Sequence, residues 1–204
     1  AGQLSSQHSQ NFENWFANTP GLKVVVPSNP YDAKGLLKAA IRDNDPTIFM
    51  ESELMYGDKG LVPEEEYVLE IGKANIVREG KDVTLVSFGK FMKIANECAI
   101  EMQKEGVDVE VIDLRSVRPI DYETIITSVK KTNRLVLLEE TWPVASISSD
   151  ISHIVQRNAF DHLDAPIYRV VSKDLPLPYA PTLIEEILPN VKKTIAAINA
   201  VMYR

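Results

Sequence analysis

Lys23-Val24-Val25-Val26-Pro27-Ser28-Asn29-Pro30-Tyr31-Asp32-Ala33-Lys34-Gly35-Leu36-Leu37, running on to Ala40-Ile41-Arg42-Asp43-Asn44-Asp45-Pro46 and Thr47-Ile48-Phe49-Met50, is the stretch that decides the fold class. Lys23 to Pro27 is a short apolar run of the kind a buried strand carries. Asn29 then offers an N-cap, Pro30 suits the first helical position, and Asp32 puts negative charge at the positive end of the helix dipole. Ala33, Leu36, Leu37, Ala40 and Ile41 recur at helical spacing. Asp43 to Pro46 ends the helix, since a residue before proline disfavours α geometry. Thr47 to Met50 is the next strand. Strand, helix and strand in series predict an α/β fold with a largely parallel sheet.

Outward from this unit the alternation continues. Upstream, Phe12, Trp15 and Phe16 are spaced to share one helix face. Downstream, Ser52 to Tyr67 has the composition of a linker, with Gly57, Gly60, Pro63 and the acidic run Glu64, Glu65 and Glu66. A second block follows. Strands are expected at Val83 to Phe88, Val107 to Leu114, Leu135 to Leu138 and Ile167 to Val171. Between them fall helices around Cys98, after Asp121, and over Ile147, Ile151, Ile154 and Val155. Thr182 with Glu185 has the spacing of a capping box, and Val191, Ile195, Ile198 and Met202 stripe a last helix.

The 204 residues are 45% hydrophobic and carry 22 basic against 29 acidic groups, a net charge of -7. No basic run is long enough to follow a phosphate backbone, which excludes a nucleic-acid partner from the expectations. No apolar run approaches the roughly 20 residues that span a bilayer, and Ala1 to Ser6 lacks the charged then apolar order of a signal segment. The single cysteine, Cys98, falls on an apolar helical stripe with Ile94, Ala95, Ala99 and Met102, and reads as core packing in a reducing compartment. The amino end, without Met and leading straight into a helical pattern, predicts that the first unit is partial.

No G-x-G-x-x-G, G-x-x-x-x-G-K or G-x-S-x-G occurs, and no His/Cys group has metal-ligand spacing. Gly57-Asp58-Lys59-Gly60 reads as a linker turn. His153 falls off its helix's apolar stripe and His162 lies between elements, so both read as surface residues. Motif logic alone thus stops at an α/β protein.

Several ordered blocks carry the reading further. Gln7-His8-Ser9-Gln10, Pro20 to Pro27, Asp32 to Leu37, Ala40 to Pro46, Val111-Ile112-Asp113-Leu114-Arg115, Arg118-Pro119, Leu163 to Pro166 and Leu175 to Ala180 resemble the beta subunits of thiamine-diphosphate-dependent 2-oxo-acid dehydrogenases. The resemblance covers essentially the whole chain. It implies the back part of a pyrimidine-binding domain at residues 1–53, a linker at 54–69, and a transketolase C-terminal-like domain with a mostly parallel sheet at 70–204.

What the resemblance implies for function is equally specific. His8 matches the family's active-site histidine; before a helix, the dipole disfavours imidazolium, leaving a neutral ring to exchange hydrogen bonds or protons with a substrate carbonyl. Main-chain carbonyls of Ala40, Asp43 and Asp45, at the negative end of a helix, match a potassium site. Glu139, Arg115, Arg118 and Trp142 fit the family pattern and read as packing and ion pairs between blocks. Glu53-Leu54-Met55-Tyr56-Gly57 resembles pyruvate-type subunits. The implied activity is oxidative decarboxylation of pyruvate with acetyl transfer to a lipoyl group, with branched-chain 2-oxo-acid or acetoin chemistry, or a docking role alone, as alternatives. Thiamine diphosphate and magnesium would be shared with an alpha subunit, with the ylid-promoting glutamate upstream of Ala1, so this chain alone is expected to be inactive. Further partners are a second beta subunit and the peripheral-subunit-binding domain of dihydrolipoyl acetyltransferase, in bacterial cytoplasm or a mitochondrial matrix.

Overall fold

The computed structural model describes residues 8–204; Ala1 to Gln7, which include the amino end read for targeting, lie outside the described residues. Its elements run α1 (Glu13–Ala17), β1 (Lys23–Val25), α2 (Pro30–Arg42), β2 (Thr47–Phe49), β3 (Asn75–Arg78), β4 (Val83–Ser87), α3 (Met92–Lys104), β5 (Val109–Asp113), β6 (Ser116–Arg118), α4 (Tyr122–Thr132), β7 (Leu135–Leu138), α5 (Ile147–Ala159), β8 (Tyr168–Val170), α6 (Pro181–Ile187) and α7 (Val191–Val201). The expected α/β class is what the chain forms. Among the described residues no helix is long and apolar enough to cross a membrane.

Two sheets organise the molecule. The larger has the order β3-β5-β4-β7-β8, parallel throughout except for β3, which runs antiparallel to β5. Its central strands are buried on both faces, and this is why β4, β5 and β7 read as continuous apolar runs rather than alternating ones. Val83, Leu85, Val109, Val111, Val136 and Leu138 meet Ala95, Cys98, Ala99 and Met102 of α3 and Ala197, Ile198 and Val201 of α7. On the opposite face Val86, Ile112, Leu135 and Leu137 meet Ile125 and Val129 of α4 and Ile147, Ile151 and Val155 of α5. Cys98 is fully buried, as its stripe required, and burial pushes its thiol up to about 12.

The smaller sheet has the order β2-β1-β6. β1 and β2 are parallel around α2, as expected of a strand–helix–strand unit, but the third member, β6, comes from the second block and runs antiparallel. Val24 and Val26 consequently belong to the same apolar cluster as Val86, Phe88 and Leu137. Gly89 permits the close approach: its φ is +55°, and a Cβ there would stand 2.9 Å from the Val26 side chain. The blocks are also tied by charge. Arg115 grips Asp32 through two bonds, Nε to Oδ2 at 3.0 Å and Nη2 to Oδ1 at 2.7 Å, and Ser28 donates to Asp113, whose carboxyl burial pushes up to about 6. Arg118 donates to the Ala17 carbonyl at 2.6 Å. Arg115 and Arg118 thus join the blocks.

The helix starts follow their caps. Asn29 accepts from the Asp32 amide with Pro30 at the first position, and Asp121 accepts from the Thr124 amide. The capping box at Thr182 does not form: α6 starts on Pro181 after Ala180, so Thr182 lies inside the helix with no capping bond. α1 also departs from expectation. Glu13, Asn14 and Ala17 are its buried residues, while Trp15 is 65% exposed and Phe16 is exposed as well. The linker stretch is not loose against α2. Tyr67 stacks on Tyr31 at 4.6 Å and donates to its carbonyl, and the Leu69 amide donates to Gly35.

Candidate active site

A cleft of about 240 Å³ opens where the two blocks meet. The segment before α1 supplies His8, Gln10, Asn11 and Phe12 to it, and α1 itself supplies Glu13. Val26 and Pro27 follow β1, Met50 to Leu54 follow β2, Phe88 to Phe91 follow β4, and Glu140 follows β7. Loops after strand ends form the walls, which is where open α/β sheets present their chemistry.

His8 stands exposed at the rim, its Nδ1 3.6 Å from Oε1 of Glu53. Glu53 begins a 3-10 turn, Glu53–Met55, so the segment read as bearing on substrate choice lies directly across from the histidine. Leu54 lines the cleft, and Tyr56 donates to Glu51 at 3.1 Å. The helix-dipole argument does not apply to His8, because the helix starts five residues later at Glu13 and spans only 5 residues. Its claim on chemistry rests on the cleft.

The floor is an acidic cluster that includes Lys90. Lys90 donates to Glu140 Oε1 at 2.7 Å, and Asn11 donates to Glu140 Oε2 at 3.0 Å. Burial works to raise the Glu140 pKa, but the Lys90 charge, the amino-terminal charge and the hydrogen bonds from Lys90 and Asn11 together outweigh it, and the net shift is downward. Glu13 moves the other way. Burial, reinforced by the neighbouring Glu140 and Glu139 charges, pushes its carboxyl up to about 8, while a bond to its own backbone N–H and the Lys90 charge oppose the rise. Its Oε2 is buried and has no hydrogen-bond partner. Two carboxyls in one site are thereby split, Glu140 ionised and Glu13 protonated at neutral pH, the usual arrangement of a site that handles protons. Glu139 instead turns into the second block, accepting from the Ser148 amide at 2.8 Å and the Thr141 hydroxyl at 2.6 Å.

The expected potassium ligands are grouped at the end of α2. There the Asp43 amide donates to the Ala40 carbonyl at 3.4 Å, and Lys23 bridges the Asp43 and Asp45 carboxylates at 2.5 and 3.1 Å. Those hydrogen bonds push the Lys23 ammonium up and hold Asp43 down. Among the described residues no group of three or more His, Cys, Asp or Glu side chains is disposed to hold a metal. Asp58 of the Gly-Asp-Lys-Gly turn pairs with Lys93 at 2.6 Å. His153 and His162 are both exposed, as their positions predicted. Trp142 donates to the Leu175 carbonyl at 2.9 Å and lies 6.3 Å from the Phe12 ring. Sequence reasoning missed Glu13, Asn11 and Lys90. The only available signal was two polar residues, Glu13 and Asn14, between aromatic ones in a short helix.

Comparison with known proteins agrees with this geometry. The family described as transketolase, C-terminal domain, matches residues 72–194, and that described as transketolase, pyrimidine binding domain, matches residues 1–59. The chain is 51% identical to the pyruvate dehydrogenase E1 component subunit beta of Rhizobium meliloti, over 100% of this chain and 45% of that protein. The corresponding subunit of Rickettsia felis is 47% identical over 100% of this chain and 62% of its own length. The beta subunit of acetoin:2,6-dichlorophenolindophenol oxidoreductase from Bacillus subtilis is 48% identical over 95% of this chain and 57% of its own. The chain therefore spans about half the length of the curated relatives it matches. Among solved structures, a split gene transketolase, in an inactive beta4 tetramer, superposes with a TM-score of 0.78 at 23% identity, over 93% of this chain and 60% of that one, a likeness of fold.

Proposed function

The chain belongs to the transketolase C-terminal domain family, in the branch that holds the beta subunits of the pyruvate dehydrogenase E1 component, and on that footing we propose that it serves the oxidative decarboxylation of pyruvate, His8 working at the rim of the cleft. The observation that carries this is the pairing of His8 with the Glu53–Met55 turn across the cleft mouth. An exposed imidazole there can give a hydrogen bond to, or take one from, a carbonyl or hydroxyl oxygen of a small acid. The walls of Phe88, Phe91, Met50 and Leu54 offer its short apolar part an apolar surface to lie against.

The cofactor this branch implies is thiamine diphosphate with magnesium. The described residues do not fit its diphosphate end: Glu51, Glu53 and Glu140 make the cleft negative, and no metal-holding group of side chains is disposed nearby. That end belongs on an alpha subunit, and this chain alone is expected to bind the cofactor weakly. Main-chain carbonyls of Ala40, Asp43 and Asp45 remain the proposed potassium ligands, supported by their place at the negative end of α2. A second beta subunit and the peripheral-subunit-binding domain of the acetyltransferase complete the proposed partners, in bacterial cytoplasm or mitochondrial matrix. Acetoin cleavage is the second reading, favoured by the 48% identity to the Bacillus subtilis subunit.

The test is kinetic. The full-length protein, assembled with its alpha subunit, is offered pyruvate, 2-oxoisovalerate and acetoin. The highest kcat/KM is expected for pyruvate; a higher value for either of the others overturns the assignment.

A further inference from the structure

The segment that carries His8 is held from the second block at several points. Ser9 is buried. Asn11 donates to Glu140 across 129 positions of sequence, and Glu140 is itself fixed by Lys90, which arrives on the turn Gly89–Phe91 after β4. Phe12 packs near Trp142, and Asn14 reaches the Ala145 carbonyl at 3.5 Å. The contacts of Asn11, Phe12 and Asn14 converge on the loop between β7 and α5. His8 lies three residues beyond the Asn11 bond, and among the described residues its outer side approaches Glu53 at 3.6 Å.

We infer that the Lys90–Glu140–Asn11 bridge is a positioning device for His8, by which the second block sets where the imidazole stands over the cleft. The inference rests on the reading of His8 given above. Glu140 is the hinge of the device because both its oxygens are used, one on each block. Its side chain is 9% exposed and that of Lys90 19%, so water competes little for either. A charge-assisted pair in that setting keeps its geometry better than an exposed one. Losing the bridge releases the Asn11 amide from the second block, and with Ser9 and Gln10 between it and His8 the ring can shift by more than the ~1 Å that a reacting geometry tolerates. Glu13 adds a sign to the device. Protonated it leaves Glu140 undisturbed, and ionised it places a second negative charge beside Glu140.

The experiment is a double-mutant cycle in the full-length assembly, with His8→Ala, Glu140→Ala and both together, and with Glu140→Gln and Asn11→Ala as companions. Glu140→Ala is expected to lower kcat about tenfold with KM within about twofold of the parent, and Glu140→Gln, whose single oxygen can still accept from Asn11 but not from Asn11 and Lys90 at both positions, to recover part of the loss. In the His8→Ala background Glu140→Ala is expected to cost nothing more. Asn11→Ala, which leaves the Lys90–Glu140 pair intact, should reproduce the kcat loss even if Glu140→Ala assembles poorly. Equal losses in both backgrounds, or parental kcat in Asn11→Ala, overturn the positioning role. Parental kcat in His8→Ala overturns the reading of His8 itself and this inference with it, a result distinct from a slow His8→Ala beside a fast Glu140→Ala.

Discussion

His8 and Glu13 sit five residues apart and were unequally visible in the sequence. His8 stood out only through the blocks around it; as a lone histidine before a helix it carries little information. Its replacement by alanine in the full assembly is expected to cut turnover roughly 100-fold, the usual contribution of one proton-handling group, with assembly unchanged by size-exclusion chromatography. Glu13 could not be found because Phe12, Trp15 and Phe16 mark the opposite face as the buried one. In a helix of 5 residues, what is buried is decided by the loop that lies over it, and that loop begins past residue 138. The buried carboxyl has a measurable consequence. Its folded pKa, about 8, lies above the ordinary glutamate value of 4.5, so between those values the native state holds a proton the unfolded chain has released. Stability therefore falls as pH rises through that window, by an amount on the order of a few kcal/mol, and is not regained above it. Glu13→Gln removes the slope. Melting curves at pH 5 and pH 8.5 should show the variant gaining on the parent only at the higher pH; a constant difference at both would mean that Glu13 is ionised in the native state.

At the scale of elements, legibility followed length and burial. β4, β5 and β7 announced themselves because burial on both faces leaves continuous apolar runs, and α2 and α4 because Asn29 and Asp121 cap them. β3 and β6 did not. Asn75–Arg78 is half exposed, and Ser116–Arg118 is three residues with one apolar side chain; each is a strand only because a remote strand offers it hydrogen bonds. Between β5 and β6 lies Arg115, at φ +59°, a turn that no β pattern forecasts. That turn aims its guanidinium at Asp32, whose side chain is 1% exposed. Arg115→Ala leaves the carboxylate buried without its counter-charge, and a loss of roughly 3 kcal/mol is expected in urea unfolding. Combining it with Asp32→Asn should restore part of that loss. If the single variant is as stable as the parent, the pair contributes nothing to joining the blocks. Gly35→Ala tests the linker side of α2. Its Cβ would meet Leu69 Cγ at 2.7 Å and Tyr67 Cε2 at 2.8 Å, so Tyr67 should leave Tyr31, read as a change in tyrosine fluorescence without loss of the second block's fold.

The whole molecule answers a question its sequence left open, namely how the first block completes its sheet. From composition and periodicity, residues before Glu53 had too few strands to stand alone. β6 changes that for one part and not for another. β1 is hydrogen-bonded on both edges, to β2 and to β6; the Val26 amide donates to the Arg115 carbonyl at 2.8 Å and the Met50 amide to Val25 at 2.8 Å. Val24 and Val26 also share an apolar cluster with Val86, Leu137 and Ile151, so exposing them means breaking the second block's core. The stretch from Asn11 to Ala17 has neither a ladder nor a buried apolar face beyond Ala17, and rests on side-chain bonds to the loop after β7 and on the Arg118 bond to the Ala17 carbonyl. Native-state hydrogen exchange should therefore divide the first block in two. The amides of Val26 and Met50 are expected to exchange with protection close to that of Val86 and Val111, through the same global opening, and the Trp15 amide, bonded only to the Phe12 carbonyl, at least a hundredfold faster. Were Val26 to exchange with Trp15 instead, β6 would be too weak a strand to hold β1, and the first block would open as a unit by itself. Were Trp15 to match Val26, the Lys90–Glu140–Asn11 bridge would be holding the His8 segment as firmly as the core holds its strands.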